Sequence, residues 1–220
     1  MIVERGYFMQ YMNMNAIREK GQLSINGVGT VKVRADLALL TVGVTTSNPD
    51  VQVAQVENSN TVNAIIISLT DYGIPKENIN AYDVSINKKY DNITNELVAY
   101  EITTTLRIEI TDLKNLGDVY SLAIENGANS NINISFTISD TAPHYKDALL
   151  AATQDALDKG ALLAKNLGIK LRPLPESIFE NSTSIYSVSK RDVGYASSPY
   201  LSSGDLVVTA QVTVVFNTYI

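Results

Sequence analysis

Residues 100–110 read YEITTTLRIEI, and this stretch decides the fold class. Its large apolar residues fall on even positions together with Thr104, whereas charged residues and the other two threonines occupy the odd ones. The even residues are Tyr100, Ile102, Thr104, Leu106, Ile108 and Ile110. Side chains alternate between the two faces of a strand, so the pattern predicts a strand with one buried and one solvated face. Such one-sided burial is typical of antiparallel sheets.

The same alternation recurs along the chain. It is clear in residues 131–138 and 206–216, and weaker in four further stretches, at 23–33, 37–46, 79–90 and 178–188. Each is predicted to be a strand because apolar residues repeat every second position. The polar connection at residues 92–96 joins two of these strands and predicts a hairpin.

Three segments change to the helical period, at residues 50–72, 112–126 and 142–167. Asn48-Pro49 is predicted to open the first helix, Thr111 or Asp112 the second, and Asp140 or Thr141 the third. All three are predicted to end at a glycine, because the residue after a helix often adopts a left-handed conformation. These glycines are Gly73, Gly127 and Gly168.

The predicted order is β-β-α-β-β-α-β-α-β-β. We expect an α+β fold in which three helices pack on one face of a largely antiparallel sheet. Residues 22–220 are predicted to form a single domain, preceded by a loose tail at residues 1–21. A stretch rich in Ser, Tyr, Gly and Pro, at residues 187–204, is predicted to be a long loop.

Composition excludes several classes of function. The chain carries 17 Lys and Arg against 23 Asp and Glu, so it lacks the basic field of a nucleic-acid binder. It contains no cysteine, which excludes thiol chemistry and thiolate metal sites. No apolar run is long enough to span a bilayer. Polar and charged residues interrupt residues 1–21, which therefore do not resemble a secretory signal, and we expect a cytoplasmic location.

Candidate reaction centres are weak. His144 is the one histidine, and we expect it to be an exposed residue in the first turn of the third helix. The Gly27-Val28-Gly29 stretch lies inside a strand, where glycine usually marks a bulge or a close backbone approach, and we expect the bulge rather than a phosphate cradle. Asp147, Asp155 and Asp158 are spread over a solvated helix face. The sequence predicts no catalytic residue, metal or cofactor.

Tyrosines offer a different kind of site. Tyr186, Tyr195 and Tyr200 lie in or beside the 187–204 loop. Tyrosine is enriched at interfaces because it supplies a large contact area at modest entropic cost. These three residues are partner-contact candidates, and a loop that folds back on its own domain is the alternative interpretation.

The chain resembles the SIMPL family. The resemblance begins with LSINGVGTV at residues 23–31 and continues through YGIP at 72–75, NGAN at 126–129, ISFTISD at 134–140 and LGI at 167–169. That family includes bacterial periplasmic immunogenic proteins, bacterial proteins associated with oxidative stress and an animal kinase-binding protein. The resemblance implies the fold, a tendency toward ring-like or channel-like homo-oligomers and a role in stress. It implies no catalytic residues.

We therefore expect a non-enzymatic binding or assembly module that forms homo-oligomers through sheet edges or through the tyrosine-bearing loop. The alternative is a domain that binds a small molecule or peptide in a groove beneath the 187–204 loop. The protein or small-molecule ligand is left open by the sequence.

Overall fold

The computed structural model describes residues 21–181, 184–187 and 205–219. Within them the α+β class and the predicted order of elements are confirmed. The elements are β1 (Gly21–Arg34), β2 (Leu37–Asn48), α1 (Val51–Tyr72), β3 (Ile79–Tyr90), β4 (Leu97–Ile110), α2 (Leu116–Glu125), β5 (Ser130–Thr137), α3 (Ala142–Leu167), β6 (Lys170–Leu171), β7 (Ser177–Glu180), β8 (Ser184–Ser187) and β9 (Asp205–Tyr219).

The described strands form two sheets, where the sequence predicts one. Four strands make an antiparallel sheet in the order β3-β4-β2-β5. In the second sheet the long strand β9 lies between β1 on one side and β6, β7 and β8 on the other. The alternation of apolar and polar residues indicates that a strand buries one face, but it does not indicate which sheet the strand joins.

The described residues group into two compact units. One comprises residues 30–148, 184–187 and 205–209, and the other comprises residues 21–29, 149–181 and 210–219. The four-stranded sheet with α1 and α2 lies entirely within the first unit. The expectation of a single domain over 22–220 stays a prediction.

The core of the first unit lies under α1, which packs on β2 and β4. Ile102, Leu106, Ile108 and Ile110 are buried there, as the alternation of residues 100–110 predicts. Each buried aliphatic side chain of this size contributes roughly 1.5–3 kcal/mol. The other core residues of the sheet and helices are Ala38, Leu40, Val42, Val44, Val62, Ile65, Leu69, Ile79, Leu116, Val119 and Ala123.

A buried asparagine ties α1 to the sheet. Asn58 is 2% exposed, and its amide nitrogen donates to the carbonyl oxygens of Val44 and Ile102 at 2.8 and 3.1 Å. Its side-chain oxygen accepts from the Thr104 hydroxyl at 2.6 Å. Because a buried polar group without a partner is costly, this network holds α1 in one position over β2 and β4.

Helix ends follow the predicted signals with two differences, both at helix starts. Asp112 caps a short 3-10 turn at Leu113–Asn115, so α2 itself begins only at Leu116. Gly73, Gly127 and Gly168 all have positive φ angles, of 112°, 106° and 68°. The cap of α1 is Asp50, whose carboxylate accepts from the backbone N–H groups of Gln52 and Val53, so the predicted cap at Asn48 is two residues early. A side chain that can reach the free N–H groups of the first turn is the effective cap.

In the second unit, α3 approaches β1 through small residues. A Cβ atom added to Gly27 would clash with the carbonyl oxygen of Ala152 and would lie 2.8 Å from the Cβ of Ala156. A Cβ atom added to Gly160 would likewise lie 2.9 Å from the Phe216 ring. Gly27 therefore marks a close backbone approach, whereas the sequence favours a bulge at this glycine.

We expect Gly27→Ala to lower the free energy of unfolding by about 2 kcal/mol, because overpacking a tight contact forces backbone shifts. Gly117→Ala is the matched control. A Cβ there meets nothing within 4 Å, and alanine favours a helix, so this change should raise stability by about 0.5 kcal/mol. Urea denaturation measures both. Equal free energies of unfolding for the two variants would contradict the tight contact, because they would mean that α3 shifts away from β1 without loss of stability.

Candidate functional site

Asp36 and Ser139 form a hydrogen-bonded pair close to His144. Asp36 lies in the two-residue connection between β1 and β2, and Ser139 lies between β5 and α3. One Asp36 carboxylate oxygen accepts from the Ser139 backbone N–H and the other from its hydroxyl, both at 2.7 Å. These two bonds lower the pKa of Asp36, and the charge of His144 adds a smaller effect in the same direction.

This pair lacks the arrangement of a catalytic triad. The hydroxyl of a nucleophilic serine must donate to a base that is ready to take its proton, whereas the Ser139 hydroxyl donates to a carboxylate whose pKa is lowered. Asp36 and Ser139 are both exposed. His144 lies in the first turn of α3 as predicted, but it is half-buried rather than exposed. The pair connects the β1–β2 turn to the segment that leads into α3.

Replacement of Asp36 by Asn tests this structural role. The lowered pKa means that Asp36 stabilises the fold above its unfolded pKa of about 3.9, and that this contribution is lost as the pH falls through the folded value. We therefore expect Asp36→Asn to melt below the wild type at pH 7, and the gap to close below about pH 4. Thermal melts from pH 2 to 8 measure it. Asp147→Asn, which removes an exposed acid of α3, should show no such convergence.

The acidic residues of α3 do not converge. Asp155 accepts from the Lys159 ammonium group at 2.6 Å and from the backbone N–H of Val28 at 2.8 Å. The contact with Lys159 has the larger effect in lowering the pKa of Asp155, and the bond from Val28 has the second largest. The bond from Val28 also connects β1 to α3. Asp147 and Asp158 are exposed. Within the described ranges, no three His, Asp or Glu side chains lie close enough to hold a metal ion.

A polar cleft of about 370 Å³ lies in the second unit and was not indicated by the sequence. It is lined by Gln22, Arg172, Glu176 and Asn217. The Gln22 amide donates to the Glu176 carboxylate at 2.7 Å. A ligand would have to compete with this hydrogen bond to reach that carboxylate oxygen. Binding sites usually combine apolar walls with a few polar groups, and this cleft has polar walls.

The tyrosine candidates are placed only in part. Tyr186 belongs to β8, where it lies opposite Val207 of β9. Tyr195 and Tyr200 lie outside the described residues, as does the 187–204 loop after Ser187. Contact of these tyrosines with a partner therefore stays a prediction, and so does a ligand groove beneath the loop.

The sequence predicts association through a sheet edge without indicating which strand, and the four-stranded sheet has such an edge at β3. Among the described strands, β3 has a neighbour on one side only, β4. Val84 and Ile86 lie opposite Thr104 and Ile102 of β4, on the face that α1 covers further along the sheet, yet they are 61% and 55% exposed. Tyr82 is exposed too, and the Arg107 guanidinium lies 4.0 Å from its ring centre.

The β3–β4 hairpin ends in an ordered turn. Asp91 accepts from the backbone N–H groups of Ile93 and Thr94, both at 2.8 Å, and these bonds lower its pKa. Asn95 adopts a left-handed conformation with φ of 56°. Ile93 at the tip is 94% exposed. The turn thus closes the hairpin, and β3 continues as a strand as far as Tyr90.

No helix in the described part of the chain has the length and apolar content needed to cross a bilayer. A family model described as SIMPL, a protein of unknown function (DUF541), matches residues 23–216. The 26 kDa periplasmic immunogenic protein of Brucella melitensis biotype 1 is 19% identical over 160 residues. The match covers 70% of this chain and 64% of the relative, so the chain spans less than two thirds of the relative's length.

This comparison corrects one expectation. A similar protein is periplasmic by name, so the cytoplasmic location inferred from residues 1–21 is wrong. That inference rested on polar residues that interrupt a short apolar stretch, and such local composition does not outweigh similarity over 160 residues.

Proposed function

Since the chain belongs to the SIMPL family, we propose that it is an exported, non-enzymatic assembly module that self-associates through the free edge of its four-stranded sheet. The observation that carries the proposal is β3, a 12-residue strand with exposed apolar side chains and, in the described residues, a partner on one side only. Unpaired backbone groups along such an edge readily accept another strand.

The opposite edge of the same sheet is less suited to pairing. Strand β5 has 8 residues, and its register against β2 shifts between Thr41 and Gly43. Asn131 in β5 adopts a left-handed conformation with φ of 51°. Asn129, just before the strand, uses its side-chain amide to bond both backbone groups of Thr45. Irregularities of this kind limit further pairing, and they leave only residues 133–137 of β5 in an uninterrupted register. Strand β3 also has shifts in register, but its uninterrupted stretch at residues 83–89 is longer, so β3 is the favoured surface.

The energetics favour contact at β3. Val84 and Ile86 are each a little more than half exposed. Burying the rest of such a side chain contributes roughly 1 kcal/mol, and a symmetric contact doubles the number of side chains. Backbone hydrogen bonds along the strand add to this gain.

The non-enzymatic part of the proposal is supported by how polar side chains are used. Ser139 is bonded to Asp36, and Asp155 is bonded to Lys159, so these candidates already serve structural contacts. Export is supported by the Brucella relative, which is named as a periplasmic protein. A role in stress rests on the family resemblance.

Ile86→Lys tests the edge. The change places a charge at the centre of the proposed contact, and we expect dissociation to a smaller species or at least a tenfold weaker association, equivalent to about 1.4 kcal/mol. Ile67→Lys is the matched control, since Ile67 lies on α1 and is 61% exposed. Light scattering during size-exclusion chromatography measures the mass of each variant. A wild-type monomer at micromolar concentration would contradict self-association.

Cell fractionation tests export. We expect an epitope-tagged copy expressed from its natural gene to appear in the periplasmic fraction after osmotic shock, with a cytoplasmic enzyme retained as the control. Co-fractionation with that enzyme would contradict the proposed location.

A further inference from the structure

The geometry points to a specific partner for β3, namely β3 of a second copy, paired antiparallel about a two-fold axis at Ile86. This inference rests on the self-association proposed above and adds the identity of the partner strand and its register. It follows from three features of β3: where the strand is regular, which face each side chain occupies and where its charges lie.

The regular part of β3 is short. Its register against β4 shifts between Ala81 and Asp83 and again between Lys89 and Tyr90. Between these irregularities, residues 83–89 pair with β4 without interruption. A bulge bends and twists its strand, so uninterrupted pairing with a further strand is confined to this stretch. The residue at its centre is Ile86.

Side chains of this stretch divide between the two faces of the sheet. Val84, Ile86 and Lys88 lie opposite Thr104, Ile102 and Tyr100 of β4, on the same face as the buried core. Asp83 and Lys89 lie opposite Thr105 and Ala99, on the other face. Asp83 and Lys89 therefore share a face and are equidistant from Ile86 along the strand.

Antiparallel pairing centred on Ile86 uses all of these positions. Ile86 then meets the partner's Ile86, and Val84 meets the partner's Lys88, whose aliphatic stem can cover it while the charge stays in water. Asp83 meets the partner's Lys89, and the symmetry repeats this pair, so the contact contains two opposite-charge pairs. Residues directly opposite in an antiparallel pair lie close enough for such contacts.

Neighbouring registers lose this complementarity. A shift of two residues in one direction sets Asp83 against the partner's Asn87, and a shift in the other direction sets it against the partner's Asp91. The first has no ion pair and the second has two like-charge pairs. A shift of one residue joins the apolar face of one copy to the polar face of the other. Charge placement and face alternation thus select the same register.

Charge reversal tests the register. Asp83→Lys places two lysines opposite each other in both symmetry-related pairs, and Lys89→Asp places two aspartates there. Each variant alone should therefore associate at least tenfold more weakly than the wild type. An equimolar mixture of the two variants restores opposite-charge pairs at both positions when residue 83 of each chain meets residue 89 of the other, as the register requires.

In that mixed dimer, one pair joins the two introduced side chains, a lysine at position 83 and an aspartate at position 89 of the other chain. The second pair joins the natural Lys89 of the first variant to the natural Asp83 of the second. We expect the mixed dimer to form within about threefold of the wild-type affinity, since exposed ion pairs act mainly on specificity.

Sedimentation velocity on the mixed and unmixed variants, one of them carrying a size tag, measures these affinities. Both side chains are exposed, and the ion pair that Lys89 makes with Glu101 within the chain is long, at 3.9 Å, and solvated, so circular dichroism should show folded variants. Homodimers of both variants at wild-type affinity would overturn the register while leaving self-association intact. A monomeric wild type would overturn both proposals.

A cross-link gives a second measurement that does not depend on charge. The natural chain has no cysteine, so Ile86→Cys introduces a single thiol at the proposed axis. Opposite residues of an antiparallel pair have Cα atoms about 4.5–5.5 Å apart, within the range that a disulfide spans. We expect rapid formation of a disulfide-linked dimer under mild oxidation. Ile67→Cys on α1 is the control, and equal rates for the two variants would contradict the axis at Ile86.

Discussion

The structure of the first unit depends on one constraint, namely that each strand of its sheet has an apolar face that must be covered. Helix α1 meets this requirement over β2 and β4, and Asn58 fixes its position through hydrogen bonds to Val44, Ile102 and Thr104. Ile79 at the start of β3 is buried in this core, whereas Val84 and Ile86, further along the same face, stay largely exposed. The buried asparagine therefore does more than satisfy polar groups, because it holds the helix over the inner strands and leaves the outer strand open.

The second unit meets the same requirement by a different kind of packing. There α3 presents Ala152, Ala156 and Gly160 to the sheet, opposite Gly27 and Phe216. Small side chains on both elements let the helix and the strand approach closely, and the ion-paired Asp155 bonds the backbone of β1 at Val28. The contact is intolerant of added volume, which explains why a glycine stands at position 27 inside a strand that otherwise favours larger residues.

The sequence predicts the elements better than it predicts their surroundings. Alternation and terminal glycines locate the strands and the ends of all three helices, because both signals arise within a few residues of the chain. The helical period does not show which apolar residues of α3 are buried, since Leu163 and Leu167 are exposed whereas alanines make the contact. Nor could alternation show that Val84 and Ile86 lack a cover, or that Asp36 bonds Ser139, 103 positions away. Those outcomes depend on tertiary neighbours.

An exposed edge strand pairs with a specific partner or aggregates, and β3 has features that favour the first outcome. An edge that is long, flat and apolar invites unlimited strand addition. In β3 the shifts in register on either side of residues 83–89 limit the length available for pairing, and Asp83, Lys88 and Lys89 restrict which strand fits. Pairing about a two-fold axis consumes the same edge on both copies, so it closes on itself. The other edge of the sheet, at β5, is interrupted by Asn131 and offers no continuation. A sheet with one usable edge and one protected edge forms a pair rather than a fibre, and any larger assembly would need a second surface elsewhere on the chain.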